Sequence, residues 1–254
     1  IDTKIGPDGA LYVCDWYNPI IQHGEVDFRD PRRDHTHGRI WRLAAKGRPL
    51  SEVPKFEGAT VPDLLEMLKS PRKWTRHFAK RELREAGAAK VVTALDEWAG
   101  KLAKEDKDYA HDLLEAAWAR EGVNAFSPKL WRELWSVSDH KVKAAALRIL
   151  SHRWKELPGA MKVLESAIAD GHAQVRLWAL VVLGDIRTPE AFNVALRALD
   201  SAMDENLDFL LEQIGREQAD VWMPAFAKGL MKRNDNPKHM VLAMKSTGRG
   251  DWLN

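Results

Sequence analysis

The sequence predicts a mainly α-helical fold in which about six helical pairs follow a short β segment. Three observations support this prediction: apolar residues recur at helical spacing through most of the chain, the pattern repeats, and the first residues instead show short runs typical of strands. The 254 residues are 45% hydrophobic and 30% charged. A chain of this length and composition is expected to fold around a sizeable core.

The clearest helix of the repeat lies within residues 170–192. Its apolar face is formed by Val175, Trp178, Ala179, Val182, Leu183 and Ile186. Further apolar residues lie outside this face, so the helix should lie between two neighbouring helices. We expect the first five of these side chains to be buried, and Arg176 to lie near the helix ends at Asp139 or Asp170.

A basic residue, a small residue three positions later and a leucine seven positions later recur at Arg76, Lys143 and Arg176. Ala110 and Asp208 continue the spacing without the basic residue. The period of about 32 to 34 residues lies in the range of helical-pair repeats. Together with the string VRLWALVVLG, this spacing resembles HEAT repeats, in which antiparallel helix pairs stack into a solenoid. The resemblance implies a HEAT-like α-solenoid over residues 61–254.

Start signals and periodicity set the predicted helix bounds. The predicted pairs are 62–70 with 71–86, 88–104 with 107–121, 128–137 with 139–153, 158–169 with 172–186, 189–202 with 204–217, and 219–232 with 237–246. Four helices should begin at a capping residue followed by proline, at Ser70-Pro71, Ser127-Pro128, Thr188-Pro189 and Asn236-Pro237.

Residues 1–45 predict strands rather than helices. Residues 4–16 contain a Pro-Asp-Gly turn followed by a β-rich run, which is typical of a hairpin, and residues 38–43 predict another strand. A few strands cannot form an independent core, so we expect a remnant of a larger sheet structure. Residues 46–60 are rich in Gly, Pro and polar residues and predict a linker.

The segment between these strands shows neither helical nor strand periodicity, and loops of this length are usually functional or disordered. Its candidate site residues, with one from the preceding strand, are Asp15, His23, Glu25, Asp27, Asp30, Arg33, Asp34, His35 and His37. Carboxylates and imidazoles can hold a divalent cation. The alternation of acids with arginines instead favours a self-paired surface loop without a metal, and we assign no residue a catalytic role.

One predicted helix is strongly basic. Its candidate docking patch consists of Arg72, Lys73, Arg76, Lys80, Arg81 and Arg84. Such a patch would suit an acidic partner, for example another domain of the same chain. The alternative is an ordinary solvated helix face.

Composition and motifs exclude several classes of function. The net charge of +2 is too small to favour nucleic-acid binding, and the single Cys14 excludes an internal disulfide. No apolar run approaches the 18 or so residues of a membrane span, and the first residues do not form a signal peptide. The chain begins at Ile1, so we expect a segment of a longer protein. No nucleophile elbow, phosphate loop or dinucleotide fingerprint is present, which favours a non-catalytic segment.

The string GPDGALYVCDWYNPIIQHGEVDFRDPRRDHTHGRIWRL resembles the final propeller blade of the large membrane-bound dehydrogenase-type proteins of planctomycetes and verrucomicrobia. In that family a propeller precedes HEAT repeats and a c-type cytochrome. The resemblance implies that residues 1–45 are a partial blade of a periplasmic or extracytoplasmic, sugar or alcohol dehydrogenase-like oxidoreductase.

The same resemblance implies haem c, and a quinone cofactor or calcium, in the longer protein. The HEAT region would then hold the other domains of that chain in place. The present chain departs from the family pattern because it has no Cys-x-x-Cys-His motif. The alternative is a non-catalytic HEAT-repeat scaffold for protein–protein interaction.

Overall fold

The computed structural model contains the predicted β segment followed by helices, and it describes residues 2–17, 27, 29–229, 231 and 236–247. Within these ranges the strands are β1 (Asp2–Ile5), β2 (Leu11–Asp15) and β3 (Arg39–Leu43). The α-helices are α1 (Val61–Glu66), α2 (Lys73–Ala86), α3 (Ala88–Gly100), α4 (Tyr109–Gly122), α5 (Pro128–Trp135), α6 (His140–Arg153), α7 (Ala160–Ile168), α8 (Ala173–Asp185), α9 (Pro189–Leu196), α10 (Glu205–Glu217), α11 (Ala219–Ala227) and α12 (Pro237–Thr247).

The described part of the chain has the predicted fold class. It is mainly α, a HEAT-like α-solenoid of helical pairs that follows a short three-stranded β segment. None of the described helices combines the length and the apolar character needed to cross a membrane.

The three strands form one antiparallel sheet in the order β1-β2-β3. β1 and β2 form the predicted hairpin, in which Ile5 pairs with Leu11, and Leu43 of β3 pairs with Leu11 from the other side. Val13 pairs with Trp41, and residues that pair across neighbouring strands lie on the same face of the sheet. Ile5, Trp41 and Leu43 remain exposed, so this apolar face is largely open.

The side chain of Asp8 holds the turn between β1 and β2. Its carboxylate accepts hydrogen bonds from Arg42 Nε at 2.8 Å, from the Ala10 N–H at 3.1 Å and from the Tyr12 hydroxyl at 3.2 Å. The hydrogen bond from Arg42 is the largest of the interactions that lower the pKa of Asp8. Gly9 adopts a φ of 79°, a conformation that favours glycine, so the Pro-Asp-Gly turn forms as predicted.

The chain divides into two units, residues 1–94 and 95–254. In the first unit α1 and α2 pack together and bury Leu65 and Leu83. Residues 46–60 contain no helix or strand. The division of the chain at residues 45 and 60 stays a prediction.

In the second unit the helices pack as successive pairs. α5 packs on α6, α7 on α8, and α9 on α10. The second helices of successive pairs also contact one another in the order α4, α6, α8, α10 and α12. α8 therefore lies between neighbours, as its apolar surface predicts.

The small residues and leucines that define the repeat are buried. The aligned pairs are Ala79 and Leu83, Ala146 and Leu150, and Ala179 and Leu183, and each of these side chains is 0% exposed. Close helix packing requires a small residue at the first position, and the leucine fills the core one turn later.

Four of the five side chains predicted to be buried in α8 are buried, but the prediction for Trp178 is wrong. This side chain is half-buried, because its ring lies at the surface with the Arg148 guanidinium carbon 5.7 Å from the ring centroid. Arg176 is buried, and its Nη1 donates to the Asp170 carbonyl at 2.9 Å. The predicted position of Arg176 at the Asp170 end is confirmed.

The predicted helix starts are confirmed at three of the four prolines. α5, α9 and α12 begin at the prolines after Ser127, Thr188 and Asn236. The start predicted at Pro71 is wrong, because α2 begins at Lys73 and the Ser70 hydroxyl accepts the backbone N–H of Arg72 instead.

Candidate functional site

The side chains of α2 divide between a buried face and a basic face. Thr75, Ala79 and Leu83 recur every four residues and are buried. The basic side chains of the helix are Lys73, Arg76, Lys80, Arg81 and Arg84. At 3.6 residues per turn they fall within an arc of about 140° beside the buried face, where Arg76 and Lys80 are half-buried and the other three are exposed. Together with Arg72 at the N-cap, they form the basic face of α2.

Hydrogen bonds and an ion pair orient several side chains of this basic face. Nη1 of Arg72 donates to the Glu52 carbonyl at 2.6 Å, and Nη1 of Arg76 donates to the Ser70 carbonyl at 2.8 Å. Carbonyl acceptors orient a guanidinium group and leave its full charge in place. Arg81 forms an exposed ion pair with Glu85 at 3.1 Å. With five basic and two acidic residues, the helix keeps a formal charge of +3.

A half-buried aromatic cluster borders the basic face. The rings of Trp74 and Phe78 stack with their centroids 4.1 Å apart, and Phe56 lies 5.8 Å from Trp74. The guanidinium carbon of Arg81 lies 5.9 Å from the Phe78 ring centroid. Sequence reasoning missed this cluster because Phe56 belongs to the predicted linker. The spacing of Trp74 and Phe78 by four residues was the available signal, since such side chains meet on a helix.

In the loop site, two of the predicted acids bind neighbouring cations. Asp15 accepts a hydrogen bond from Trp41 Nε1 at 3.0 Å and pairs with Arg39 at 2.8 Å. The hydrogen bond from Trp41 is the largest contribution that lowers the pKa of Asp15. Asp30 accepts two hydrogen bonds from Arg32, at 2.9 Å and 2.7 Å, which hold its pKa well below the usual range.

A third acid of the loop is also paired. Asp34 accepts the Thr36 N–H at 2.9 Å and lies 2.8 Å from His37 Nδ1. These contacts, the Thr36 N–H first, keep the pKa of Asp34 well below its usual range. The Asp27 carbonyl accepts a hydrogen bond from Arg33 Nε at 3.0 Å. The Asp27 carboxylate accepts the Arg29 N–H at 2.9 Å, so Asp27, Asp30 and Asp34 are each engaged with a nearby donor.

The loop residues within the described part of the chain do not converge on a metal position. Arg33, Asp34 and His35 line a shallow open depression beside Tyr17. Of the other predicted residues, His23 and Glu25 lie outside the described part of the chain. Within that part, no three His, Cys, Asp or Glu side chains come together as metal ligands. The described donors therefore do not fit calcium, which takes six to eight oxygen ligands.

The fold and the basic face of α2 define a helical-repeat protein with a charged surface on one of its first helices. A protein-family model described as a domain of unknown function, DUF7133, matches residues 1–47. No curated protein matches the chain.

Several solved structures resemble the helical part. A designed armadillo repeat protein in complex with the peptide (KR)4 is 15% identical over 75% of this chain and 99% of its own, with a TM-score of 0.38. An engineered protein is 18% identical over 75% of this chain and 98% of its own, with a TM-score of 0.40. Similarity at this level carries no information on ligands or partners.

Proposed function

We propose that this chain is a non-catalytic interaction scaffold that binds an acidic protein segment through the basic face of α2. The observation that carries the proposal is the concentration of cationic side chains within one arc of α2, of which Lys73, Arg81 and Arg84 are exposed. The ligand class follows from this charge, because a partner must bring carboxylates to match it.

The chemistry of the face suits a peptide or protein with Asp and Glu side chains. Guanidinium groups offer planar, bidentate hydrogen bonding to carboxylates. An exposed ion pair contributes only about 0.2–1 kcal/mol, so measurable affinity needs several pairs and some apolar contact. The aromatic cluster beside Arg81 supplies such an apolar border.

The charge distribution favours an acidic protein over a nucleic acid. The whole chain has a net charge of only +2. Nucleic-acid binding domains carry a larger and more extended basic surface, because the phosphate backbone is charged along its whole length.

Calorimetric titration with a Glu-rich peptide at low ionic strength tests the proposal. We expect the double variant Lys73→Glu/Arg84→Glu to bind at least about 10-fold more weakly, which corresponds to a loss of 1.4 kcal/mol. Lys129→Glu/Lys162→Glu is the matched control, since both lysines are exposed and the net charge changes equally. Equal weakening in the two variants, or no binding by the unaltered chain, would contradict the proposal.

We further propose that the scaffold belongs to a longer redox protein, on the resemblance of residues 5–43 to a propeller blade. The open apolar face of the sheet, with Ile5, Trp41 and Leu43 exposed, supports this idea because a neighbouring blade would cover such a face. Haem c and any quinone or calcium would lie outside this chain, whose single Cys14 cannot form the paired thioether attachment of haem.

The longer protein provides the test of this second proposal. We expect it to show a haem absorption band that changes on addition of a sugar or alcohol substrate, in a periplasmic or extracytoplasmic fraction. A longer protein without haem would leave only the scaffold.

A further inference from the structure

The exposed face of α10 repeats the arrangement of α2 with the opposite charge. Glu205, Asp208 and Glu212 occupy the positions that Lys73, Arg76 and Lys80 occupy in α2. The offset is constant, since 205 − 73, 208 − 76 and 212 − 80 are all 132 residues, or four periods of about 33. The two faces therefore carry three charges of opposite sign at identical spacing.

α10 presents this face because its other side is buried. Leu207, Leu211 and Ile214 lie in the core. Phe209 is 70% exposed and lies one helical turn after Glu205, on the side of Glu205 away from Asp208. An exposed aromatic side chain can act as the anchor of a protein contact, where aromatic residues often contribute most of the binding energy.

Basic residues of α10 itself and of α12 lie near this face. On α10 itself, Glu212 pairs with Arg216. From α12, Lys238 and Lys245 share a groove with Asp208. The acidic character is accordingly strongest at the N-terminal end, around Glu205 and Phe209.

We propose that the basic face of α2 docks a second copy of this chain, by packing against the outer face of α10 of that copy. The inference rests on the proposed function and names its acidic partner. Seven residues of helix extend about 10.5 Å, so the three cations and the three anions align over the same length. The half-buried rings of Trp74 and Phe78 offer Phe209 an apolar surface to cover.

The two faces differ, so each copy can use both. Association then gives either a closed pair with two α2–α10 contacts or an open chain of copies. Because the contact depends on exposed charges, it weakens as salt is added.

Sedimentation velocity at low ionic strength tests the inference. We expect the mass of the unaltered chain to rise with protein concentration, and the rise to disappear at about 0.5 M salt, where the screening length falls to a few ångströms. Lys73→Glu/Arg84→Glu removes two cations from the basic face of α2 and adds two acids, and Glu205→Lys/Asp208→Lys makes the same change with the opposite sign on the outer face of α10. Each double variant alone should associate at least about 10-fold more weakly, and an equimolar mixture of the two should associate again.

Two further variants distinguish a loss of the α2–α10 contact from a general effect of changed surface charge. Phe209→Ala, an exposed substitution that should not disturb folding, should weaken association, whereas Lys129→Glu/Lys162→Glu should not. Circular dichroism of each variant checks that its helices are intact.

Monomers at every concentration in low salt, or a mixture of charge-reversed variants that stays monomeric with intact helices, would overturn the inference. A chain that binds the Glu-rich peptide but never self-associates overturns this inference alone, and a chain that does neither overturns both.

Discussion

At the scale of single residues, the repeat positions were predictable because they depend on local spacing. A residue that faces a neighbouring helix at one point does so again one period later, so Ala146 and Ala179 share the same environment. Trp178 was not predictable in this way. Its environment depends on the neighbouring helix α6, whose Arg148 lies over the half-buried ring.

The burial of Ala179 leads to a direct test of the packing. Ala179→Trp should overpack the contact of α8 with its neighbours and lower the free energy of unfolding by about 1–3 kcal/mol. Ala89→Trp on α3 is the control, because Ala89 is exposed and should change stability by less than about 0.5 kcal/mol. Urea denaturation measures both. Equal midpoints for the two variants would show that the assigned register of α8 is incorrect.

Tyr109 makes stability depend on alkaline pH. Burial first, and then its hydrogen bond to Glu133 at 2.9 Å, raise the pKa of Tyr109 from 10.0 to about 12. A group with a raised pKa in the folded state stabilises the fold fully below its unfolded pKa, and this contribution is lost as pH rises from 10 to 12. We expect Tyr109→Phe to lose less stability over this interval than the unaltered chain. Identical pH dependence of urea unfolding in the two proteins would refute this explanation.

At the scale of elements, the sequence predicted which segments form helices, but it did not predict the first residue of every helix. Apolar periodicity places the helices, and a side chain that accepts the N-terminal N–H groups fixes where each begins. α2 departs from this pattern because Arg72 reaches the Glu52 carbonyl, 20 residues earlier in the chain. Local sequence carries no trace of such a contact, so the start at Lys73 could not be predicted.

The cap of α5 tests the contribution of these start signals. The Ser127 hydroxyl accepts the Leu130 N–H at 3.3 Å, so Ser127→Ala should cost about 0.5–2 kcal/mol. Ser166→Ala, at an exposed position within α7, should be neutral or slightly stabilising, since alanine favours helices. Thermal unfolding of both variants distinguishes the two effects. A loss of stability at Ser166 as large as that at Ser127 would exclude the cap as the cause.

At the scale of the whole molecule, the sequence predicted the charge on the face of a helix. It could not predict which side chains of the loop between β2 and β3 contact one another. The basic residues of α2 share a face by spacing alone, so the sequence was sufficient to identify them. In the loop, sequence reasoning proposed both a cation site and a self-paired surface. The pairs of Asp30 with Arg32 and of Asp34 with His37 show that the described acids are engaged locally. Which side chains of a loop meet depends on backbone geometry that no periodicity encodes.

The opposite charge on α10 was visible in the sequence only after alignment by the repeat. Glu205 and Lys73 are far apart in the chain, and each belongs to an ordinary amphipathic helix when considered alone. Their correspondence depends on the regular period, which is a property of the whole chain. The correspondence between the basic residues of α2 and the acidic residues of α10 is therefore found only when the repeats are aligned.

The central claim, that the basic face of α2 is a docking surface for acidic protein, is tested most directly by amide chemical shifts recorded during addition of a Glu-rich peptide. The account predicts that the shifts change for residues 72–84, saturate with the peptide and return as salt is added, while the amides of α5 to α8 stay unchanged. Changes centred on another part of the chain, or small changes spread evenly over all basic residues, would contradict it.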